Sequence, residues 1–376
     1  MHDFQFWPTL LTIVIVFGVI QGTGGFLVYV ERKVCAYMQM RIGPNRVGPV
    51  GLFQSVADLA KFLLKEETLP AYADKFIFIL APCIALTTAM LSFAVVPFGA
   101  TGNPDDTAFR ESYQFMIAPG IDIGILFIFA VSSLTVYGII LGGWSSNNKY
   151  SLLGGLRSSA QIISYEIPLG LSILGVVLFA GSLNLERIIW SQARAGMLGW
   201  YIFYQPLAFL LFMISAFAEC NRLPFDLPET EQELVGGYHT EYNAFKLVFY
   251  FLGEYTHMIT TSFLMVILFF GGWHFPGIAT LESFWLLKLI VFAAKVTLMI
   301  LFYMFVRWTI PRFRFDQLMG LAWRVLIPLA LANLVMVMVV KEFWPLQLWV
   351  LLPASIVVFV ATAALSTAPR RTAVSG

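Results

Sequence analysis

Nine long apolar runs dominate this sequence. Because about 20 apolar residues are enough for a helix to cross the hydrocarbon core of a bilayer, each run can form a membrane-spanning helix. Only 12% of the 376 residues are charged, about half the fraction usual in water-soluble domains. We therefore predict an all-α, polytopic membrane helix bundle with a single membrane domain over residues 1–366 and a short disordered tail over 367–376. The predicted spans are roughly 8–30, 76–98, 119–142, 160–181, 200–218, 245–271, 284–306, 319–340 and 346–366.

The lysines and arginines are distributed unevenly between the connecting segments. Sixteen of the 23 fall in segments on one side of the predicted membrane, four on the other side and three within spans. Since loops on the cytoplasmic side carry the excess of positive charge, the N-terminus is predicted to lie outside and the C-terminus in the cytoplasm. Two large loops, 31–75 and 219–244, are then cytoplasmic.

The second of these loops is unusually acidic for such an oily chain. Pro224 and Pro228 push the preceding leucines toward extended geometry, which predicts a fixed, irregular path rather than a plain helix. Beyond Pro228 the alternatives stay open: in a helix Glu229 and Glu233 share a face without Glu231, whereas in a strand all three share one side. Around the single Arg222 the loop carries six carboxylates: Glu219, Asp226, Glu229, Glu231, Glu233 and Glu241.

The segment 52–67 has a helical period but is too short to span a membrane. Leu52, Val56, Leu59 and Leu63 fall on one face, and Asp58 and the lysines fall on the opposite face. This pattern predicts an amphipathic helix that lies in the membrane interface.

Glu166, Glu254 and Lys295 fall within predicted spans, where ionisable groups are candidates for function. Glu166 lies roughly 9 Å and Glu254 roughly 14 Å from the predicted cytoplasmic boundary at 1.5 Å per residue, and Lys295 lies near the middle of its span. We expect Glu254 and Lys295 to form a pair, because an isolated buried charge is costly. The pair could take part in proton transfer or could be a static ion pair that holds two helices together.

Three loop segments carry a family resemblance. They are the basic segment 31–51 with its Gly43-Pro44 and Gly48-Pro49 turns, the acidic segment 218–241, and the segment 307–318 with alternating Arg and Phe. Together they resemble the quinone-site membrane subunit of respiratory complex I, which is the H subunit in bacteria and subunit 1 in mitochondria. The resemblance covers about residues 8–340, and the ninth run departs from many members, whose chains end after the eighth span.

The resemblance implies a non-redox subunit of a proton-translocating NADH:quinone oxidoreductase in the cell inner membrane. Such a subunit forms the quinone entry chamber and couples quinone reduction to proton transfer. Its partners are the other membrane subunits and the peripheral quinone-site subunits, which carry FMN and the iron–sulfur clusters. Membrane lipids and quinone contact the chain, and the quinone is the substrate.

Matching positions give two groups of candidate residues. Lys295 joins the first group through the pairing hypothesis above. The implied proton path contains Glu166, Glu219, Asp226, Glu229, Glu231, Glu233, Glu254 and Lys295. The implied quinone entrance contains Arg32, Arg41, Arg46, Asp58, Phe225, Arg312 and Arg314.

Several other chemistries are excluded by the residues present. The three cysteines have no C-x-x-C spacing, so neither an iron–sulfur cluster nor a disulfide framework is predicted. Of the four histidines only His257 lies well inside a span, which excludes a bis-histidine haem. The Glu254-x-x-His257 motif has no second copy, which excludes a di-iron site. No phosphate-binding glycine loop occurs, and the net charge of +1 gives no reason to expect nucleic acid. We expect no metal or cofactor bound by this chain; buried carboxylates, which favour their protonated form in poor solvent, remain for proton exchange.

Two alternative functions stay open at this point. One is the matching subunit of a membrane-bound hydrogenase complex, which lacks quinone. The other is a free-standing proton-coupled secondary transporter, which keeps its sites at mid-membrane on interrupted helices in paired halves. A transporter is active when purified alone, whereas an obligate subunit purifies with flavin and iron–sulfur partners.

Overall fold

A computed structural model of the chain describes residues 6–98, 116–118, 121–226, 234–281, 283–343 and 348–367. These residues form helices and loops, with no β-strand among them, which confirms the all-α prediction. The helices are α1 Phe6–Met38, α2 Gln54–Leu64, α3 Lys75–Leu91, α4 Gly124–Ser133, α5 Thr135–Ser145, α6 Lys149–Ala180, α7 Leu185–Arg194, α8 Tyr201–Tyr204, α9 Pro206–Glu219, α10 Ala244–Phe269, α11 Trp285–Thr309, α12 Phe315–Leu321, α13 Ile327–Phe343 and α14 Leu351–Thr367.

Seven helical segments of the described chain are long and apolar enough to cross a membrane, in keeping with a polytopic bundle. They are Phe6–Met38, Lys75–Val95, Gly124–Ser145, Lys149–Ala180, Ala244–Phe269, Trp285–Thr309 and Phe315–Phe343. The fifth and ninth predicted spans are the shorter apolar helices α9 and α14. In the fifth span Pro206, which has no N–H to donate, occupies the first position of α9 and separates it from α8.

Local capping explains where the fourth span begins and ends. The side chain of Asn148 accepts a hydrogen bond from the N–H of Tyr150, and Gly181 takes the left-handed conformation after Ala180. The helix α6 therefore begins eleven residues before the predicted boundary at 160. Asp74 caps α3 in the same way by accepting from the N–H groups of Phe76 and Ile77.

The helix α10 is the centre of the bundle. It is surrounded by α1, α3, α7, α9 and α11, and 89% of its apolar window is buried, compared with 28% for α1 and for α11. The side chains of α10 therefore face protein on nearly every side. Polar and ionisable groups on this helix are consequently shielded from lipid.

The helices alternate in direction, which defines two ends of the bundle. We call the end at which α1 ends and α10 begins the near end, and the opposite end the far end. Loops at the near end are tied together by polar contacts: Lys246 Nζ lies 2.6 Å from Glu67 Oε2, and Asn148 Nδ2 donates to Glu241 Oε1 at 2.6 Å.

The predicted amphipathic helix is confirmed as α2, which lies at the near end against α1 and α10. Its apolar side chains Val56, Leu59 and Leu63 are exposed in the isolated chain. Asp58, on the other face, binds Arg32 at the end of α1, with 2.5 Å between the carboxylate and the guanidinium. The helix is thus held to the bundle by its polar face and presents its apolar face outward.

Helix α6 meets the segment after residue 234 at a backbone contact. A Cβ atom built on Gly154 comes within 2.5 Å of the Cα atom of Gly237. The tyrosines that follow Gly237 pack into the near-end core, where the ring of Tyr242 stacks on Phe78 with 4.1 Å between centroids. Only a residue without a side chain fits at position 154.

This contact predicts that Gly154→Ala destabilises the protein by about 1–3 kcal/mol, because neither backbone can yield without displacing a helix. The measurement is the thermal unfolding midpoint of the detergent-extracted protein. Gly170→Ala is the matched control, since it places the same methyl group on the same helix where no atom lies within 4 Å. Equal midpoints for the two variants would contradict the prediction.

Candidate functional site

A buried ion cluster at the near end joins four separate parts of the chain. Glu31 of α1 accepts hydrogen bonds from Arg307 of α11 and from the hydroxyl of Tyr255 of α10, the latter at 2.5 Å. Arg222, which follows α9, lies 3.5 Å from the same carboxylate, and its guanidinium stacks on the ring of Tyr255 at 4.2 Å. One carboxylate thus serves two guanidinium groups.

Arg222 is held in its charged form within this cluster. Burial alone lowers the pKa of a guanidinium, but the nearby Tyr255, Glu31 and Glu254 more than offset the burial and raise the pKa of Arg222 above its ordinary value. The interaction with Glu254 extends the cluster along α10. Arg222 therefore stands as a fixed positive charge between two acidic side chains.

A small cavity lies beside this cluster, with room for about one water molecule. Glu254 and His257 reach it from α10, where a spacing of three residues places them on the same face. Glu219 reaches it from the last turn of α9. Its other lining residues are Ala85, Thr135, Ile139, Ile162, Cys220, Asn221, Tyr238, Tyr250 and Gly253.

A third carboxylate, that of Glu166, lies near the cavity. Glu166 of α6 is half-buried and lies close enough to Glu219 for the two charges to repel each other. Glu219 also lies near the side chain of Ser132 on α4. The structure therefore brings Glu166, Glu219 and Glu254 into succession through the bundle, and we call these three carboxylates the acidic row. Arg222 lies beyond Glu254.

The beginning of the acidic loop is fixed against the segment after α11. The N–H of Phe313 donates to the carbonyl oxygen of Pro224 at 3.2 Å, and the rings of Phe225 and Phe313 stack with 5.6 Å between centroids. Asp226 is buried and lies 3.3 Å from Arg312. Up to Asp226 the loop thus follows a fixed, irregular path, as Pro224 predicts, and Pro228 lies outside the described residues.

The remaining candidates lie at the near-end surface or outside the described residues. Arg41, Arg46 and Arg314 are exposed, and Arg41 donates to Gln39 at 2.7 Å. Glu229, Glu231 and Glu233 lie outside the described residues, so the choice between a helix and a strand there stays a prediction. Within the described ranges no three His, Cys, Asp or Glu side chains are grouped as ligands for a metal ion.

The predicted pairing of Lys295 with Glu254 is wrong, whether as a proton-transfer pair or as a static ion pair. Lys295 Nζ donates to the carbonyl oxygens of Phe270, Gly272 and His274 at 2.7, 3.0 and 2.6 Å. These residues follow the far end of α10, about 22 Å along the axis from Glu254. Lys295 therefore anchors the far-end loop instead of facing the acidic row.

Sequence reasoning missed the centre of the ion cluster. Glu31 stands next to Arg32 and Lys33, so in the sequence its charge blends into a basic helix end. The available signal was that Glu31 is the single acidic residue between Phe6 and Met38. Tyr255 and Arg307 offered no comparable signal, because their importance depends on a contact between distant helices.

Known proteins resemble this chain over most of its length. The family model described as NADH dehydrogenase matches residues 10–338. The NADH-quinone oxidoreductase subunit 8 of Rhodothermus marinus is 47% identical over 343 residues, covering 88% of this chain and 96% of that protein. An H subunit of NADH-quinone oxidoreductase from Cytophaga hutchinsonii is 49% identical over 313 residues, covering 82% and 89%.

A third relative agrees, and the resemblance inferred from three loop segments is confirmed. The H subunit of NADH-quinone oxidoreductase from Thermomicrobium roseum is 48% identical over 326 residues, covering 85% of this chain and 92% of that protein. The range that the family model matches includes Glu31, Glu219 and Glu254. The chain therefore belongs to the NADH dehydrogenase family, among the membrane proteins named as H subunits of NADH-quinone oxidoreductase.

Proposed function

We propose that this chain is the subunit of a proton-translocating NADH:quinone oxidoreductase that admits quinone from the bilayer and couples its reduction to proton transfer. The names of the relatives support the assignment to this complex. The observation that carries the coupling role is the small cavity that Glu219 and Glu254 share, with Arg222 beside it.

The acidic row is suited to passing protons through a protein interior. Each carboxylate can hold or release one proton, and the cavity between Glu219 and Glu254 has room for about one water molecule to carry it across. Arg222 supplies a fixed positive charge that attracts negative charge on Glu254. In this proposal a change in charge near the loop 220–226 alters the proton occupancy of Glu254, then of Glu219 and Glu166.

The near end also offers an apolar approach for a lipid-borne substrate. The exposed side chains of Val56, Leu59 and Leu63 on α2 would contact the isoprenoid tail, and the Arg32–Asp58 bond fixes α2 beside α1. We place the stacked rings of Phe225 and Phe313 and the charge of Arg312 at the same entrance, because they lie in a loop of the near end. We propose that Arg41, Arg46 and Arg314 lie around the same entrance, which peripheral subunits would complete.

The proposal places the chain in the cell inner membrane with the near end in the cytoplasm. This orientation follows from the excess of lysine and arginine in the near-end segments. The chain would contribute proton-exchange groups only, and partner subunits would supply FMN and the iron–sulfur clusters. Its partners would be the other membrane subunits of the complex and the peripheral subunits that bind the quinone headgroup.

Substitution of the carboxylates of the cavity tests this proposal. We expect Glu254→Gln and Glu219→Gln each to lower coupled quinone reduction by about a hundredfold, because an amide keeps the shape but cannot exchange a proton. The measurements are inhibitor-sensitive NADH:quinone reductase activity and proton pumping in inverted membrane vesicles that contain equal amounts of the complex. Glu66→Gln, at an exposed acid of the near end, is the control. Full activity and pumping in both cavity variants would refute the proposed path.

A further prediction concerns the ion cluster that positions Arg222. We expect Glu31→Gln to destabilise the protein by about 3–5 kcal/mol, because two guanidinium groups lose their shared carboxylate. Tyr255→Phe removes one hydrogen bond to a charged group but keeps the stacked ring, and we expect a smaller loss of about 1.5–3 kcal/mol.

Thermal unfolding of the detergent-extracted protein measures both losses. Tyr37→Phe is the control, since Tyr37 is an exposed tyrosine on the same helix as Glu31. The role assigned to the cluster fails if Glu31→Gln unfolds at the same temperature as the Tyr37→Phe variant.

A further inference from the structure

His257 connects the acidic cavity to two other helices through hydroxyl groups. It is buried on α10, and its Nε2 lies 3.0 Å from Oγ1 of Thr135 on α5. Thr135 Oγ1 in turn lies 2.8 Å from Oγ1 of Thr88 on α3. Since His257 also lines the cavity, the imidazole stands between the acidic row and this pair of hydroxyl groups.

The hydroxyl pair determines which nitrogen of His257 carries a proton. Thr88 Oγ1 lies 2.9 Å from the carbonyl oxygen of Ile84 and 3.1 Å from that of Ala85, and carbonyls only accept. The single hydroxyl proton of Thr88 is therefore used on its own helix, as is common for threonine in helices. Thr88 must then accept from Thr135, and Thr135 must accept from His257.

This direction of hydrogen bonding leaves one nitrogen of the neutral ring available. With Nε2–H committed to Thr135, Nδ1 carries the lone pair, because a neutral imidazole has one donor and one acceptor. A group that lines a cavity with two glutamates and presents a basic nitrogen is able to take a proton from either of them. The bond from Nε2–H to Thr135 persists after protonation and stabilises the resulting imidazolium.

We propose that His257 is a third proton-exchange group of the cavity, accepting a proton at Nδ1 from Glu219 or Glu254 directly or through one water molecule. The carboxylic O–H bond breaks and an Nδ1–H bond forms, so a neutral pair becomes a carboxylate and an imidazolium with no change in total charge. The return of the proton to the other glutamate restores the neutral ring. This inference rests on the proposed function of the acidic row.

Of the other titratable groups that face the cavity, the thiol and the phenols act in a different pH range from His257. Thiols and phenols exchange protons above neutral pH, and the helices α3 and α5 contribute only hydroxyl groups to this chain of bonds. The acidic limb of the pH profile, which is the fall in activity as the pH is lowered, therefore belongs to the carboxylates or to the imidazole. The other groups facing the cavity are Glu219, Cys220, Tyr238, Tyr250 and Glu254.

The test uses the assembled complex in inverted membrane vesicles. In His257→Gln the amide nitrogen reaches toward Thr135 as Nε2 does, but the side chain cannot accept a proton. We expect this variant to reduce quinone with coupled pumping about tenfold more slowly, less than the hundredfold typical of a sole acid–base group because both glutamates remain. We also expect the acidic limb of its pH profile to be lost, because the amide side chain does not take up a proton.

Thr135→Val supplies a second variant, which keeps the imidazole and removes the acceptor for its Nε2–H. Because the imidazolium then loses that stabilisation, we expect the acidic limb to move to lower pH, and Thr135→Ser to restore its position. If His257 only joins α10 to α5, Thr135→Val lowers the unfolding temperature and leaves the pH profile unchanged, and this result overturns the inference. The pH profile of Thr135→Val tests the inference even if the His257→Gln complex does not assemble.

The outcomes for His257 and for the acidic row can be separated. Full activity of Glu219→Gln and Glu254→Gln would end the proposed function together with this inference. Loss of activity in those two variants, combined with a wild-type rate and pH profile in His257→Gln, would end the inference alone.

Discussion

The carboxylate of Glu31 is the contact on which the rest of the near end depends. It receives Arg222, Arg307 and Tyr255 from three other parts of the chain, in surroundings where an unpaired charge would be very costly. This requirement fixes the end of α1 against α10 and α11 and directs the chain after α9 inward. The position of Arg222, and through it the surroundings of Glu254, follow from that single acceptor.

Burial of α10 gives the acidic row its chemical character. A helix enclosed by its neighbours can carry a carboxylate and an imidazole within one turn without exposing them to lipid, as Glu254 and His257 show. The same enclosure keeps the cavity small, so that few proton-accepting groups line it. In the proposed function, packing and proton exchange therefore depend on the same helix, and the apolar residues around it shield its polar groups from lipid.

Much of this architecture could be predicted from the sequence, and the limits have a physical origin. Apolar runs marked the spans, a helical period marked α2, and the carboxylates of the acidic loop indicated that Glu219 and Asp226 are not ordinary surface groups. The lengths of the apolar runs do not show how far neighbouring helices are displaced along their axes. Residues 270–274 lie level with Lys295, and Arg307 shares Glu31 with Tyr255, so α10 and α11 are displaced along their axes. That displacement separated Lys295 from Glu254, and it also concealed the role of Glu31.

The helix α14 has a consequence for the order in which the bundle is completed. It packs against α8, α9 and α13, and Trp349 just before it contacts Tyr204, with 5.1 Å between ring centroids. During synthesis α9 leaves the ribosome long before α14. The side of α9 that packs against α14 therefore lacks this contact while the intervening segments are synthesised. Packing around the helix that carries Glu219 is therefore completed only once α14 has been synthesised.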